Sequence, residues 1–499
     1  MVDCEEQREI EKFIKDFVDE IQQGNAAIFA GAGLSVAAGF VNWHELLSPI
    51  MKDLGLNPEI EKETDLVAVA QYYCNKTRSR NRLNQLIINK LSDCTEPTCN
   101  HKILARLPIN TYWTTNYDKL IEKALEQVGK ILDVKYTTKH LTSTKKMCNA
   151  VVYKMHGDVD HPHDAILTKD DYDQYYIKCG KFIDLLTCDL MSKTFLFIGF
   201  SFTDPNIDYV LSRVRSVFNE NQRQHYCFLK TRSKQDDESE DKFKNDQIKQ
   251  QLAIEDLKRF NITTLLIDDY SEITDILKRI ELQFRQRTIF ISGSAEEYGD
   301  NWTKQKAEEF LCDLSRNLIK KDFRIVTGFG LGVGDFIIVG AVKEIYRNKG
   351  RIEDSLIIRP FPQEFSNKED LKCFHENYRR ELISMAGICL VVFGNKKDNN
   401  KTVFLNEKKY NGSNCETDLS SGVQREFEIA KEKGLKIVPI GATGYMAEKI
   451  WEEMMSSFDE YYPNSNQDLK EKFNKLKDRE QPSELINSTL EFIASITNH

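Results

Sequence analysis

The sequence predicts an α/β protein built from two Rossmann-like domains in tandem, the first a doubly wound parallel sheet. Three observations carry that expectation. Short apolar runs alternate with amphipathic helical patterns along most of the chain, which is the rhythm of a sheet covered by helices on both faces. The rhythm restarts near residue 285. Polar or glycine-containing turns follow several of the apolar runs, where open α/β sheets bind their ligands.

In the first half, strand-like runs are Ala26–Gly31, Ile109–Thr115, Ala150–His156, Lys193–Ser201, Gln224–Lys230 and Asn261–Asp268. Helical periodicity fills the gaps, for example over Tyr117–Gln127 and Ile207–Asn219. Thr231–Lys258 has no glycine or proline and few large apolar residues, so it reads as a solvated helical excursion. Tyr270–Arg287 reads as the last helix of the first half, with Ile273, Ile276, Leu277, Ile280 and Phe284 at helical spacing. Strand-like runs then recur at Thr288–Gly293, Arg324–Gly328, Ser355–Arg359, Gly387–Phe393 and Lys436–Ile440. Lys396–Gly422 reads as a long polar loop, and Ile450–Asn498 as helical with breaks at Pro463 and Pro482. The expected domains are therefore residues 1–284 and 285–499.

Bulk composition narrows the function classes. The chain has 499 residues, 40% hydrophobic and 29% charged, which suits two ordinary water-soluble cores. No run of about 18 uncharged apolar residues is present, so no membrane span is expected. The net charge of −9 gives no general affinity for nucleic acid. The acidic start, Met1-Val2-Asp3-Cys4-Glu5-Glu6, lacks the apolar core of a signal peptide. Twelve cysteines are scattered; Cys227 and Cys389 lie in apolar runs, and the only close pair is Cys94 and Cys99. One such pair is a poor zinc signal, so the expectation is a reducing, cytoplasmic protein with no metal.

Four motifs stand at the predicted strand ends of the first half. They are Gly31-Ala32-Gly33-Leu34-Ser35, Thr114-Thr115-Asn116-Tyr117-Asp118, Met155-His156-Gly157-Asp158 and Gly199-Phe200-Ser201-Phe202-Thr203-Asp204-Pro205-Asn206. A glycine turn between strand and helix lets a pyrophosphate approach backbone amides. Alone it is also the signature of any tight turn. Asn116 is either a helix cap or an amide that orients a ribose hydroxyl or a water. His156, followed by Gly157 and Asp158, is expected at an open polar edge, where a histidine suits proton removal. Ser201 and Asp204 fit ordinary turn chemistry equally well.

As a set the motifs resemble the sirtuin nucleotide-binding fold. The resemblance implies that Asn116 and His156 are a catalytic pair. It implies that Gly31, Ala32, Gly33 and Ser35 line NAD+ on its pyrophosphate side, with Asp118, Ser201 and Asp204 nearby. Protein-deacylating sirtuins carry two CxxC pairs and an aspartate-phenylalanine-arginine segment after the glycine turn. This chain has no CxxC pair and reads Gly39-Phe40-Val41-Asn42-Trp43-His44-Glu45 at that place. Both departures point to the sirtuin-like proteins of bacterial anti-phage systems, which cleave NAD+.

In the second half, Thr327-Gly328-Phe329-Gly330-Leu331-Gly332-Val333-Gly334 alternates glycine between a strand and a helix, and Ser292-Gly293-Ser294 ends the first strand. Two small-residue turns at neighbouring strand ends suit a second nucleotide cradle, with backbone packing alone as the alternative reading. Arg379, Arg380 and Lys396 flank a strand at the same edge, and Glu426 follows Gly422 at a helix start. Arginine forks suit phosphate and a carboxylate suits ribose hydroxyls. This half resembles the SLOG family of Rossmann-like nucleotide sensors. It lacks the proline-glycine-glycine-x-glycine-threonine motif of the enzymatic relatives.

A sirtuin-like domain followed by a SLOG domain is similar to the effectors of Thoeris anti-phage systems, with His101–Arg106, Tyr112–Asp118 and Gly328–Gly334 carrying the match. That resemblance implies an NAD+ hydrolase, inactive at rest. It implies activation by a cyclic ADP-ribose isomer made by a TIR-domain partner protein, and a homotetramer or larger assembly. Arg379 and Lys396 would hold the signal's phosphates, with Ser292, Gly293, Gly330, Gly332 and Glu426 around the remainder. Two other function classes stay open at this point: an NAD-dependent protein deacylase and a non-catalytic nucleotide-sensing module. A dehydrogenase is disfavoured, since no GxGxxG follows the first strand.

Overall fold

A computed structural model describes residues 2–57, 65–92, 95–202, 204–218, 222–234, 239–299, 301–361, 368–397, 417–463, 465–478 and 481–497. The chain divides into two compact units, Met1–Glu281 and Leu282–His499.

The first unit is built on seven strands: β1 Ala26–Ala30, β2 Thr111–Thr114, β3 Leu132–Lys135, β4 Ala150–Lys154, β5 Thr194–Ile198, β6 His225–Lys230 and β7 Ile262–Ile267. All pair in parallel, in the order β3-β4-β2-β1-β5-β6-β7. The central strands β1 and β5 read Ala-Ala-Ile-Phe-Ala and Thr-Phe-Leu-Phe-Ile and are buried throughout, as strands covered on both faces must be. The order reverses at β1, whose neighbours β2 and β5 lead to opposite halves of the sheet. The carboxyl ends of these strands are therefore where a doubly wound sheet is expected to bind. The edge strand β3 has no counterpart among the expected runs, because Leu-Asp-Val-Lys is too short and mixed to stand out.

Between β1 and β2 the chain makes a helical layer: Trp43–Leu54, Leu66–Thr77, Asn81–Leu91 and Cys99–Arg106. Its first long helix starts at a capping box between Asn42 and Glu45 and stops at Gly55 in the left-handed region. Leu47, Ile50, Val69, Leu83 and Ile87 pack in one cluster with Tyr117, Val159 and Leu167. Gln71 donates to Asp170 at 2.8 Å, Arg80 pairs with Asp171 at 2.5 Å, and Asn84 meets His163 at 2.9 Å. The layer is thus fastened to the segments that follow Asn116 and His156. The charged stretch of the first unit is a helix over Glu240–Lys258 with Ile254 its buried residue.

The second unit holds β8 Thr288–Ser294, β9 Arg324–Thr327, β10 Leu356–Ile358 and β11 Ile388–Phe393. A short antiparallel ribbon follows, β12 Asn395–Lys397 with β13 Thr417–Leu419, and then β14 Lys436–Pro439. The main sheet is parallel in the order β10-β9-β8-β11-β14, with its reversal between β8 and β11. The ribbon corrects the expectation of one long loop over Lys396–Gly422, whose residues 398–416 lie outside the described residues. Pro463 lies between two helices, and Pro482 opens the last one, Pro482–Thr497. A proline is tolerated in that first turn, where its missing N–H leaves no gap in the ladder. Cys227 and Cys389 are buried in β6 and β11, as expected of small apolar residues.

Candidate functional site

The four motifs of the first unit stand at one level of the sheet. Ala30 is in register with Thr114 and with Ile198, and Thr114 with Lys154. Gly31 and Gly199 are therefore each one residue past the ladder, and Asn116 and His156 each two past it.

The glycine turn is packed backbone to backbone against the loop after β5. A Cβ on Gly31 would lie 2.4 Å from the Gly199 oxygen, and one on Gly199, whose φ is +64°, would lie 2.2 Å from the Leu34 nitrogen. The amides of Gly31, Gly33 and Leu34 donate to Ile198, Gly199 and Gly31 oxygens. Close approach of two loops is what these glycines supply here, so those three amides are not the free phosphate donors that the motif suggested.

Asn116 does not cap a helix; the following helix begins at Leu120, whose amide is accepted by Asp118 at 3.0 Å. The Thr114 hydroxyl holds the Asn116 amide N–H at 2.9 Å. The side-chain amide donates to the Gly31 oxygen at 3.0 Å and the Ser35 hydroxyl at 3.1 Å, and Ser35 donates to Asp118 at 2.8 Å. With its Nδ2 donors spent, the side chain has Oδ1 to offer a ligand.

His156 is fully buried, not at the open polar edge that its neighbours suggested. Tyr172 and Tyr175 stand edge-on to the imidazole at 5.6 and 6.1 Å between ring centres. Asp158 faces Lys154 instead. Neither ring nitrogen of His156 has a hydrogen-bond partner among the described residues, and Nε2 lies 3.4 Å from the Asp204 carboxylate. Burial pushes the imidazole pKa below its usual range, with Asp204 opposing. That direction favours the neutral ring, the form that accepts a proton. Asp204 also accepts from the Tyr172 hydroxyl at 3.0 Å and from the Asn206 and Ile207 amides. Asn206 is buried with Nδ2 unpartnered among the described residues. Ser201 is exposed, and Thr203 lies outside the described residues.

Tyr172 and Tyr175 escape a reading by motif, because they come from a helical segment distant in sequence. Lys154 escaped it too, although a lysine ending the apolar run Ala150–Lys154 is a legible signal: a buried charge demands partners. Among the described residues no group of three His, Cys, Asp or Glu side chains can hold a metal ion. Cys94 lies outside them.

The second unit repeats the glycine device. A Cβ on Gly330 would lie 1.9 Å from the Gly293 oxygen, and one on Gly332 2.1 Å from the Ala295 oxygen. Both glycines let the loop after β9 lie flat on the loop after β8. At the reversal point the Ser292 hydroxyl donates to Glu426 at 2.6 Å, and Arg379 Nε stands 3.5 Å from the other Glu426 oxygen. Burial pushes the Glu426 carboxyl up, with Ser292 and Arg379 opposing. The Arg379 guanidinium lies over the Phe361 ring, 4.8 Å from its centre. Lys396 is exposed on the ribbon and donates to the Ser421 hydroxyl at 3.0 Å. Arg380 instead joins a surface network with Glu376 and Glu432. Asn395, not singled out by the sequence, is buried and clamps the β8 loop through the Glu296 amide and the Glu297 oxygen.

Comparison with known proteins agrees with this two-part architecture. Residues 110–250 match the SIR2-like domain family, and residues 272–496 match the Sir2- and TIR-associating SLOG family. The chain is 49% identical to the NAD(+) hydrolase ThsA of Bacillus cereus over 492 residues, 98% of this chain and 99% of that one. It is 46% identical to the NAD(+) hydrolase ThsA of Acinetobacter baumannii over 489 residues, 97% and 98% of the two chains. Defense-associated sirtuin 2 of Bacillus subtilis is 26% identical over 215 residues, 41% of this chain and 20% of that one. The expected order, a sirtuin-like domain and then a SLOG domain, is the order found.

Proposed function

The chain belongs to the ThsA family of NAD(+) hydrolases, and on that premise we propose that Asn116 and His156 carry the hydrolysis in a phage-defence effector of the Thoeris type. The observation that carries this reading is the His156 imidazole. It is buried, unpartnered among the described residues and 3.4 Å from Asp204, two residues past the end of the strand that pairs with the strand leading into the Asn116 loop.

Cleavage breaks the bond between the nicotinamide nitrogen and ribose C1′, and the electron pair leaves with nicotinamide. Positive charge builds on the ribose, and water adds its oxygen to C1′ and gives up a proton. The products are nicotinamide and ADP-ribose. Asn116 Oδ1 orients the ribose or the water. His156 accepts the proton, from the water itself or through a ribose hydroxyl, and the Asp204 carboxylate stabilises the imidazolium that forms. Gly31, Ala32, Gly33, Ser35, Asp118 and Ser201 complete the NAD+ site.

Unchecked NAD+ hydrolysis would deplete the cell, so the resting enzyme is inactive and a signal switches it on. A cyclic ADP-ribose isomer, supplied by a TIR-domain partner, binds the second unit. Arg379 and Lys396 meet its phosphates, and Ser292, Gly293, Gly330, Gly332 and Glu426 surround the rest. Moving a population from 1:99 to 99:1 requires about 5.5 kcal/mol of differential binding. The effector works in the cytoplasm as a homotetramer or larger assembly, with its functional boundary between residues 284 and 285.

The test follows nicotinamide release with and without a panel of cyclic ADP-ribose isomers. Asn116→Ala and His156→Ala should abolish release in protein that still binds the activating isomer. Release at the parental rate from His156→Ala would overturn the catalytic assignment.

A further inference from the structure

Lys154 ends β4 with no exposed surface, between the two segments that carry Asn116 and His156. Its ammonium donates to the Tyr117 oxygen at 3.0 Å and the Asp118 oxygen at 2.6 Å. It also meets Glu122 at 2.9 Å and Asp158 at 2.6 Å. The carbonyls belong to the two residues after Asn116, and Asp158 is the second residue after His156. Asp118 in turn holds Ser35, and Ser35 accepts from the Asn116 amide. A short chain of contacts therefore runs from the ammonium to the Asn116 side chain, and on the other side the ammonium holds the loop of His156 through Asp158, two residues along the backbone.

Packing does not explain a charge at this position. Taking an ammonium and two carboxylates out of water is costly, and a shape-matched apolar cluster is often as stable or more so. What the charge supplies is direction. Three ammonium protons converge on fixed acceptors, and the carbonyls of Tyr117 and Asp118 lie past the end of β2, beyond its ladder to β4. Burial opposes the charge, but Glu122 and Asp158 outweigh it and keep the amine protonated.

We infer that Lys154 is a positioning residue for NAD+ hydrolysis, a bolt that fixes the Asn116 loop against the His156 loop. The inference rests on the roles proposed above for those two side chains. It predicts that removing the bolt lowers turnover more than substrate binding, since catalysis depends on placement to within about 1 Å.

Lys154→Met alone leaves two buried carboxylates without a cation, so it is expected to unfold the unit. The informative variant is Lys154→Met combined with Glu122→Gln and Asp158→Asn, which removes the whole cluster's charge. In the full-length protein with an activating cyclic ADP-ribose isomer, its kcat for nicotinamide release should fall about tenfold to a hundredfold, with little change in KM. Its melting temperature should fall by several degrees at most, because the Tyr117 and Asp118 oxygens lose their donor. Hydrogen exchange over residues 115–122 and 155–160 should rise together while other segments keep their protection. A triple variant with parental kcat, or with exchange unchanged in both segments, overturns the inference. If the triple variant does not fold, Asp158→Asn decides, because it frees the His156 loop alone; parental kcat there overturns the inference as well. If the parent releases no nicotinamide with any isomer, the catalytic reading fails, and the exchange result still decides whether Lys154 couples the loops.

Discussion

Adding one methyl group at Gly31 should push apart the two loops that form the floor of the first-unit site. Gly31 has φ −106° and ψ 179°, ordinary extended backbone that alanine adopts without strain. Any effect of Gly31→Ala therefore comes from contact. The new Cβ would lie 2.4 Å from the Gly199 oxygen and 2.7 Å from the Phe200 Cα, where ordinary contact begins near 3.4 Å. The loops after β1 and β5 must part by up to about 1 Å, an overpacking that typically costs about 1–3 kcal/mol. For a unit of this size each kcal/mol lowers the melting temperature by about 2–4 °C. Activity should suffer more than stability, because the Gly31 oxygen is the acceptor of the Asn116 side-chain amide. A shift of about 1 Å at a positioning contact costs about a hundredfold in rate. The assay pairs a thermal melt with nicotinamide release at saturating NAD+. Gly180→Ala is the control: it lies inside the helix Tyr175–Ser192 with its nearest neighbour 3.9 Å away, and should raise stability slightly. Parental rate and melting temperature in Gly31→Ala would refute the close-packing argument.

Asn116→Ala should keep the backbone turn, which the Thr114 hydroxyl secures, yet lose about a hundredfold or more in kcat; steady-state kinetics on folded variant protein checks this. Asp204 raises the His156 pKa against the effect of burial, so Asp204→Asn should move the acid limb of kcat/KM to lower pH while reducing the plateau, and a limb that moves up or stays fixed would contradict the pairing. Because folding depresses the His156 pKa, its contribution to stability is complete above the unfolded value near 6.5 and is lost as pH falls through the lower folded value. Melts of the parent and His156→Asn from neutral pH downward should therefore converge. Arg379→Ala removes the cation beside Glu426, and cyclic ADP-ribose isomers should then no longer raise nicotinamide release; a parental response would show that the sensor assignment is wrong.

Period and punctuation made much of the architecture legible. β1 and β5 are short, continuous apolar runs, and β11 reads Ile-Cys-Leu-Val-Val-Phe, so each announced itself as a buried strand. β3 and the β12–β13 ribbon did not, because short mixed edge strands carry no such run. The helical layer between β1 and β2 reads as ordinary crossover helices, since its apolar stripes do not reveal what they cover. The motifs marked Asn116, His156, Asp204, Ser292 and Glu426 as residues at or near strand ends, because local turn chemistry punctuates the chain there. Tyr172, Asn395 and Lys154 each take a key partner from 32 or more residues away, such as Asp204 at 3.0 Å and Glu122 at 2.9 Å.

The sequence by itself determined two parallel sheets and the residues standing at the carboxyl edge of each, because continuous apolar runs and turn chemistry are local properties. Only the tertiary structure decided the environment of those residues. It buried His156 between two tyrosines and an aspartate, spent the glycine-turn amides on a facing loop, and set a lysine between the Asn116 and His156 segments. Desolvation and hydrogen-bond pairing are set by whatever packs against a group, and here those partners come from strands and helices far apart in the chain.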